Sequence, residues 1–171
     1  TADGLAKDSV NGLYEDSRGC LWIGTIDAVN CLKDEKITSY DIKGVLPNGR
    51  TRTFGESADG ELWIGTSDGL ALFRDNQFTV FGEAEGLTEK FVRIIYRDVE
   101  NTLWIGTDNG LFRLENGKFI ADKRFEGKII RSITNDKAGA LWIGGGFGVS
   151  RIFGNNFATM ESRKELPSGV Y

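Results

Sequence analysis

The sequence predicts an all-β fold that repeats one four-stranded antiparallel unit four times. Two observations support this expectation, a recurring pentapeptide and its regular spacing. The pentapeptide LWIGT occurs three times and returns once as LWIGG, at residues 21–25, 62–66, 103–107 and 141–145. Its tryptophans are the only four in the chain and are separated by 41, 41 and 38 residues: Trp22, Trp63, Trp104 and Trp142. Self-similarity at a period of about 40 residues indicates a repeat protein.

Turn-forming residues divide each repeat into four short strands. The turn before the LWIGT strand is predicted to begin at an Asp or Ser and to close three residues later at Gly or Asn; the first residues are Asp16, Ser57, Asp98 and Asp136. The next hairpin is predicted at Asp68-Gly69, Asn109-Gly110 and Phe147-Gly148, with Asp27-Ala28 in the first repeat. A third turn is predicted at Asp75-Asn76, Asn116-Gly117 and Asn155-Asn156.

A single unit of this kind is too small to be stable, and its LWIGT strand is apolar on both faces. Leucine and isoleucine point to one face and tryptophan to the other, so neighbouring units must stack face to face around the four tryptophans. Radial stacking of such sheets gives a β-propeller, and a linear β-solenoid is the alternative. Residues 1–171 are therefore interpreted as a propeller fragment with blades at 5–43, 46–84, 88–124 and 127–163, and with the start of a fifth at 164–171.

Composition excludes several classes of protein. Apolar residues make up 40% and charged residues 27% of the chain, which is typical of a folded globular protein. The net charge of −4, with no basic run, argues against binding to nucleic acid, and no apolar stretch is long enough for membrane insertion.

Cys20 and Cys31 lie on a predicted register that does not place them opposite each other, so they are expected to be free thiols.

Motifs that suggest catalysis are better explained as hairpins. Residues 65–69 fit the G-x-S-x-G pattern, but this elbow needs a histidine base and the chain contains no histidine. The segment GGGFG at 144–148 replaces a hairpin and lacks the Lys-Ser/Thr of a phosphate loop. No catalytic residue, metal site or cofactor is predicted, and a propeller lyase or glycosidase is the least favoured alternative.

Candidate ligand-binding residues follow from the topology of the repeat. Hairpins between second and third strands and the connections between blades share one rim, where variable side chains stand on a constant scaffold. The hairpins contribute Asp27, Asp68, Asp108, Asn109 and Phe147, and the connections contribute Asn48, Arg50, Arg52, Lys90 and Arg93. The alternative is that each of them is simply a solvated loop residue.

The segments DGLAKDSVNGLYEDSRGCLWIGT, ADGELWIGTSDGL and TLWIGTDNGL resemble the two-component regulator propeller repeat. The resemblance implies an extracytoplasmic or periplasmic sensor domain of a membrane-bound bacterial regulator, often one that detects glycan fragments. Departures from the family pattern are Ala28, Ser57, Asn101 and the fourth-repeat segment LWIGGGFGV.

Four blades alone would leave two apolar blade faces open unless they close tightly by themselves. Pairing two copies would cover both faces, so a homodimer that forms one ring of eight blades is expected. The leading functional hypothesis is a non-catalytic ligand-sensing or interaction module. The alternative is a purely structural dimerisation scaffold without a small ligand.

Overall fold

The computed structural model describes residues 5, 9–46 and 48–160, which form sixteen strands in four separate sheets, called blades 1 to 4. Blade 1 contains β1 (Gly12–Glu15), β2 (Leu21–Gly24), β3 (Ala28–Lys33) and β4 (Lys36–Asp41). Blade 2 contains β5 (Thr51–Glu56), β6 (Leu62–Thr66), β7 (Leu70–Arg74) and β8 (Gln77–Phe81). Blade 3 contains β9 (Val92–Arg97), β10 (Leu103–Thr107), β11 (Leu111–Glu115) and β12 (Lys118–Ala121). Blade 4 contains β13 (Ile130–Asn135), β14 (Leu141–Gly145), β15 (Gly148–Phe153) and β16 (Asn156–Met160).

Each blade is an antiparallel meander whose strands neighbour one another in chain order, so the predicted fold class is confirmed. Short 3₁₀ turns at Glu83–Glu85 and Lys123–Phe125 lie in the connections after blades 2 and 3. The predicted start of a fifth blade at 164–171 lies outside the described residues and stays a prediction.

The turns between third and fourth strands have the left-handed backbone expected of two-residue hairpins. Asp75 and Asn76 have φ of 52° and 61°, and Asn116 and Gly117 have φ of 49° and 74°. Positive φ at both central residues is the requirement of a type I′ turn, which matches the twist of the strands that it joins. These two turns lie where the sequence predicts them.

The equivalent turn of blade 4 lies one residue earlier than predicted. Phe153 pairs with Asn156 across the ladder, so Gly154 and Asn155 are the central residues and the prediction of Asn155-Asn156 is wrong. Gly154 has φ of 55°, a conformation that glycine adopts without a steric penalty.

The hairpins between second and third strands also lie one residue earlier than predicted. The backbone N–H of Thr66 donates to the carbonyl of Gly69 at 2.9 Å, which makes Ser67 and Asp68 the central residues instead of Asp68-Gly69. Equivalent pairings in the other blades place these turns at Ile26-Asp27, Asp108-Asn109 and Gly146-Phe147.

In blades 1 to 3 the final threonine of LWIGT supports this position. The buried hydroxyl of Thr66 donates to the Gly69 carbonyl at 2.9 Å and accepts the N–H of Asp68 at 3.0 Å. Thr107 is equally buried and donates to the Gly110 carbonyl at 2.9 Å. A buried hydroxyl that is bonded in this way fixes the turn, because leaving it unpaired would cost free energy.

The Asp of the first turn carries a second role that turn chemistry alone does not predict. One oxygen of Asp98 accepts the N–H groups of Glu100 and Thr102, and the other accepts the indole Nε1 of Trp104 at 2.7 Å. Asp16 and Asp136 bind their tryptophans in the same way at 2.8 Å. The bond from Trp142 lowers the pKa of the Asp136 carboxyl because it favours the ionised form.

Blades pack with the tryptophan face of one against the leucine and isoleucine face of the next. Three buried clusters form in this way between blades 1 and 2, 2 and 3, and 3 and 4. The first strands lie next to one another across these interfaces, with β5 in contact with both β1 and β9, and β9 in contact with β13. The blades therefore converge at their first strands, as propeller blades do.

The glycine of LWIGT lets neighbouring blades approach closely. A Cβ atom on Gly106 would lie 2.6 Å from Cγ2 of Ile130 in blade 4, and one on Gly65 would lie 2.5 Å from Cγ1 of Val92 in blade 3. Real Cβ atoms do not make contacts this short, so only glycine fits at these positions.

In blades 2 to 4 the last residue of the first strand bridges to the preceding blade. The buried Glu56 accepts the N–H of Ser17 at 3.1 Å, and Arg97 donates to the Ser57 carbonyl at 3.2 Å. Asn135 accepts the hydroxyl of Tyr96 at 3.0 Å. The three interfaces are thus linked at equivalent positions by side chains of different chemistry.

Cys20 and Cys31 form a disulfide, so the prediction of free thiols is wrong. Cys20 lies just before β2, and Cys31 pairs with Trp22 on the adjacent strand, which leaves the two Cα atoms 5.7 Å apart. Two cysteines on adjacent strands can form a disulfide at this separation even when they are not directly paired.

The outer faces of blades 1 and 4 lack a neighbouring blade among the described residues. Leu13 is 65% exposed, whereas Phe54, Ile95 and Ile133, which hold the same position in the other blades, are buried. On blade 4, Trp142 is half-buried, in contrast to the other three tryptophans. The exposed leucine face and the exposed tryptophan face are the two halves of an unformed blade interface.

Candidate ligand-binding rim

The hairpins between second and third strands meet the blade connections at one rim of the molecule. Ser67 donates its N–H to the Arg50 carbonyl at 3.1 Å, and Asp108 donates its N–H to the Phe91 carbonyl at 3.2 Å. These bonds tie each hairpin to the segment that enters its own first strand. The predicted hairpin and connection residues therefore do share a rim.

Two of the predicted site residues line a groove on the rim of blade 2, between the connections that precede and follow this blade. Asp68 and Lys90 border a cavity of about 500 Å³. Its floor is apolar, formed by Leu46, Phe81 and Leu87, and the acidic side chains of Glu83 and Glu89 also line it. An apolar floor with a few charged groups at its edge is typical of a small-molecule site.

Two other predicted residues meet in a second cavity, close to the first strands of all four blades. Arg52 and Arg93 line a space of about 320 Å³ together with Asn11 and Arg131. Sequence reasoning missed Asn11 and Arg131. The signal was present, because all four residues stand eleven positions before the tryptophan of their repeat.

β-Bulges place the three arginines of this cavity. Thr51 pairs with Thr66 and Thr53 with Gly65, so Arg52 is the extra residue on its strand. The ladder skips Arg93 and Arg131 in the same way. A bulge changes the direction of the side chain on the extra residue, and this irregularity recurs in three consecutive blades at the arginine.

An aromatic ring and one carboxylate accompany the arginines. The guanidinium groups of Arg52 and Arg93 lie over the ring of Phe91, 4.3 Å and 4.9 Å from its centroid. Arg93 also forms an ion pair with Asp108, which the sequence predicts as a site residue. The ring attracts both cations and holds them in place.

The remaining predicted residues do not line either cavity. Asn109 donates to the Glu89 carboxylate at 2.8 Å, and Phe147 packs against Phe125 with a centroid separation of 5.7 Å. Asp27 and Arg50 contribute backbone atoms to the rim bonds, and Asn48 accepts from Ser67 through its carbonyl. The structure thus divides the predicted set into two cavities and a group of supporting loop residues.

The opposite rim carries a cavity of about 530 Å³ between blades 1 and 2, lined in part by Asp16, Arg18, Glu61 and Arg74. These four charged groups have partners: Arg74 pairs with Glu61, and Arg18 donates to the Gly60 carbonyl at 3.3 Å. Asp16 is engaged by the Trp22 indole. These side chains therefore stabilise the turns of blades 1 and 2, and the cavity is not taken as a candidate ligand site.

Two further observations limit the chemistry of the part of the chain that the structure describes. No group of three or more His, Cys, Asp or Glu residues there is placed to hold a metal ion. No helix among these residues is long and apolar enough to cross a membrane.

The buried Asp122 is engaged by Arg124: burial opposes its ionisation, but the hydrogen bonds from Arg124 outweigh burial and lower the pKa of the carboxyl.

Comparison with known proteins agrees with the repeat pattern. Residues 4–27 and 86–109 match the family model for the two component regulator propeller. No curated protein matches the chain. Among solved structures, the extracellular domain of a hybrid two-component system from B. thetaiotaomicron superposes with a TM-score of 0.76 at 25% identity, covering 94% of this chain and 23% of that one.

Two more solved structures share the fold. A second extracellular domain of a hybrid two-component system from B. thetaiotaomicron has a TM-score of 0.61 at 20% identity, covering 92% of this chain and 28% of that one. A catalytically inactive virginiamycin B lyase from Staphylococcus aureus, with a histidine replaced by alanine and quinupristin present, has a TM-score of 0.72 at 18% identity. The match covers 94% of this chain and 58% of that one.

The chain spans about a quarter of the length of the two extracellular domains that it resembles. Fold, sequence motif and structural similarity agree on the type of repeat. Residues 4–27 and 86–109 therefore match the two component regulator propeller model, and the described residues form a framework of four all-β blades.

Proposed function

We propose that this chain is a ligand-sensing module in the extracytoplasmic propeller of a bacterial two-component regulator, and that it binds a glycan fragment or another small ligand without catalysis. The observation that carries this proposal is the rim, where loops on a repeating scaffold form two cavities. One combines apolar and charged side chains, and the other is lined by Asn11 and three arginines. Functional side chains on loops of a rigid scaffold are typical of a binding surface.

The disulfide between Cys20 and Cys31 supports an extracytoplasmic location. Disulfides persist in oxidising compartments such as the bacterial periplasm and are rare in a reducing cytoplasm. The extracellular domains that share this fold agree with that location.

The absence of histidine supports a non-catalytic role. The similar lyase structure is catalytically inactive with one histidine replaced by alanine, and this chain has no histidine to act as a general base. The rim carboxylates Asp108 and Glu89 are engaged by Arg93 and Asn109, so they are not arranged as a free acid and base pair.

A thermal-shift screen of glycan fragments against the chain tests the proposal. A ligand at 100 times its Kd is expected to raise the Tm by roughly 5–10 °C. Lys90→Ala, at the groove on the rim of blade 2, is expected to reduce the shift for a ligand that occupies the groove, whereas Lys137→Ala on the opposite rim keeps it. A screen without any stabilising ligand would contradict sensing, and a ligand converted into product would contradict the non-catalytic role.

A second candidate function is dimerisation through the open blade faces. The exposed leucine face of blade 1 and the tryptophan face of blade 4 have the composition of the two sides of each internal interface. Blade 4 of one copy would pack on blade 1 of the other, and the reciprocal contact would close a ring of eight blades. Burying both patches would remove the apolar surface that Leu13 now exposes.

A further inference from the structure

The axial cavity, lined by Asn11, Arg52, Arg93 and Arg131, is an unusual concentration of positive charge on an acidic protein. Three of its four lining residues are arginines, while the whole chain carries a net charge of −4. Each arginine comes from a different blade, at the same position of the repeat. Asn11, Arg52 and Arg131 are exposed, so a dissolved anion can reach them, and solvent ions screen part of the repulsion between the arginines.

The compensation that the described residues supply is partial. Asp108 neutralises Arg93, and the Phe91 ring lies under Arg52 and Arg93. No ion pair or hydrogen bond is found for the side chains of Arg52 and Arg131 within the described ranges. Two positive charges in the cavity therefore remain without a counter-charge from those residues.

The backbone position of the arginines is a second, independent observation. Each is the extra residue of a β-bulge, at a cost to the regular ladder that the protein repeats in three blades. Bulges are enriched next to binding sites, where they aim a side chain. The supporting ring of Phe91 further restricts two of the guanidinium groups.

From this geometry we infer that the axial cavity is an oxyanion-binding site, which receives a carboxylate, sulfate or phosphate group of the ligand. Planar guanidinium groups bind such groups through paired, charge-assisted hydrogen bonds, and the Asn11 amide supplies a further donor. This inference rests on the proposed sensing function and deepens it by naming the chemical class of the ligand. The groove on the rim of blade 2 would then hold another part of the ligand.

The test is a titration of the 171-residue chain with sodium sulfate at constant ionic strength, followed by NMR of the arginine Nε–H groups. Saturable shifts are expected for Arg52 and Arg131, with little change for Arg50, which lies on the same rim outside the cavity. Non-saturable shifts, or equal shifts for Arg50, would overturn the inference. Because this experiment uses the unaltered chain, it decides the question even if a variant fails to fold.

Two variants that each remove one positive charge provide a second test of the site. Arg131→Gln is expected to weaken sulfate binding at least about tenfold, the effect of losing a charge-assisted hydrogen bond. Arg50→Gln removes the same charge from the same rim and is expected to stay within about twofold of the wild-type affinity. Equal weakening by both substitutions would show a general electrostatic effect and overturn the site.

Sugar probes separate this inference from the proposed function. Glucuronate is expected to shift the same arginine signals as sulfate, and glucose is not. If neither anion gives a saturable shift but a neutral glycan binds near Lys90, the oxyanion site is wrong and the sensing function stands. If an anion binds in the cavity and no glycan does, the site stands and the ligand belongs to another class of oxyanion.

Discussion

At the scale of single residues, the repeat depends on one polar link that the apolar motif conceals. In three blades a turn carboxylate accepts both backbone N–H groups of its own turn and the indole of the tryptophan that packs between blades. Blade 2 has Ser57 instead. Ser57 still accepts the N–H of Glu61 at 3.2 Å, but the buried Nε1 of Trp63 has no hydrogen-bond partner among the described residues.

Replacing Ser57 with Asp is therefore expected to stabilise the protein. The new carboxylate would accept the Trp63 Nε1, and a restored buried hydrogen bond contributes about 1 kcal/mol. Urea unfolding followed by tryptophan fluorescence measures the change. Ser57→Asn, which offers an acceptor without a charge, separates the hydrogen bond from the added negative charge.

The reciprocal change provides the control. Asp98→Ser should leave the Trp104 indole unpaired and lower the free energy of unfolding by roughly 1–3 kcal/mol. If Ser57→Asp is neutral while Asp98→Ser is also neutral, the indole bond does not stabilise the blade.

At the scale of elements, the LWIGT strand combines several requirements in five residues. The tryptophan packs toward the following blade, and leucine and isoleucine pack toward the preceding one. The glycine makes room for the first strand of the following blade, and the threonine, where it is present, bonds across the hairpin. The fourth repeat changes only the last of these residues, to Gly145, and keeps its hairpin at the equivalent position.

Gly106→Ala tests the close approach between blades 3 and 4. The new Cβ would meet the side chains of Ile94 and Ile130, each at 2.6 Å, and overpacking of this kind lowers stability by about 1–3 kcal/mol. Gly44→Ala is the matched control, since a Cβ there would meet nothing within 4 Å beyond its own chain neighbours, and it is expected to stay within about 0.5 kcal/mol. Equal urea midpoints for the two variants would contradict the role of the glycine.

At the scale of the whole molecule, each interface needs two different faces, and the described blades form three of them. The equivalent positions Leu13 and Ile95 illustrate the consequence, since one is 65% exposed and the other 6%. The same residue position is core in one blade and surface in another because its burial depends on the neighbouring blade.

The dimer proposal makes a prediction at this scale. Light scattering is expected to give twice the mass of the chain at micromolar concentration, and Leu13→Glu is expected to give a monomer by placing a charge in the new interface. Val99→Glu is the control, because Val99 is 63% exposed but lies away from the open faces. A wild-type monomer at this concentration would contradict dimerisation.

The sequence by itself determined the four blades of the described residues, their four-strand meander and the rim on which hairpins and connections meet. It could do so because period, turn residues and alternating apolar faces are local properties of the chain. The turn positions were wrong by one residue in several hairpins because the buried threonine hydroxyl and the ladder register, rather than the Asp-Gly or Asn-Asn pairs, decide where the chain reverses.

Only the tertiary structure decided which polar residues meet. The disulfide depends on how β2 and the strand after it align, and the axial cavity is lined by arginines from three blades, each the extra residue of a bulge. The arginines stand at one position of the repeat, but their convergence follows from the radial arrangement of the blades. Spacing along the chain specifies equivalent positions, and packing between blades determines which of these positions become neighbours in space.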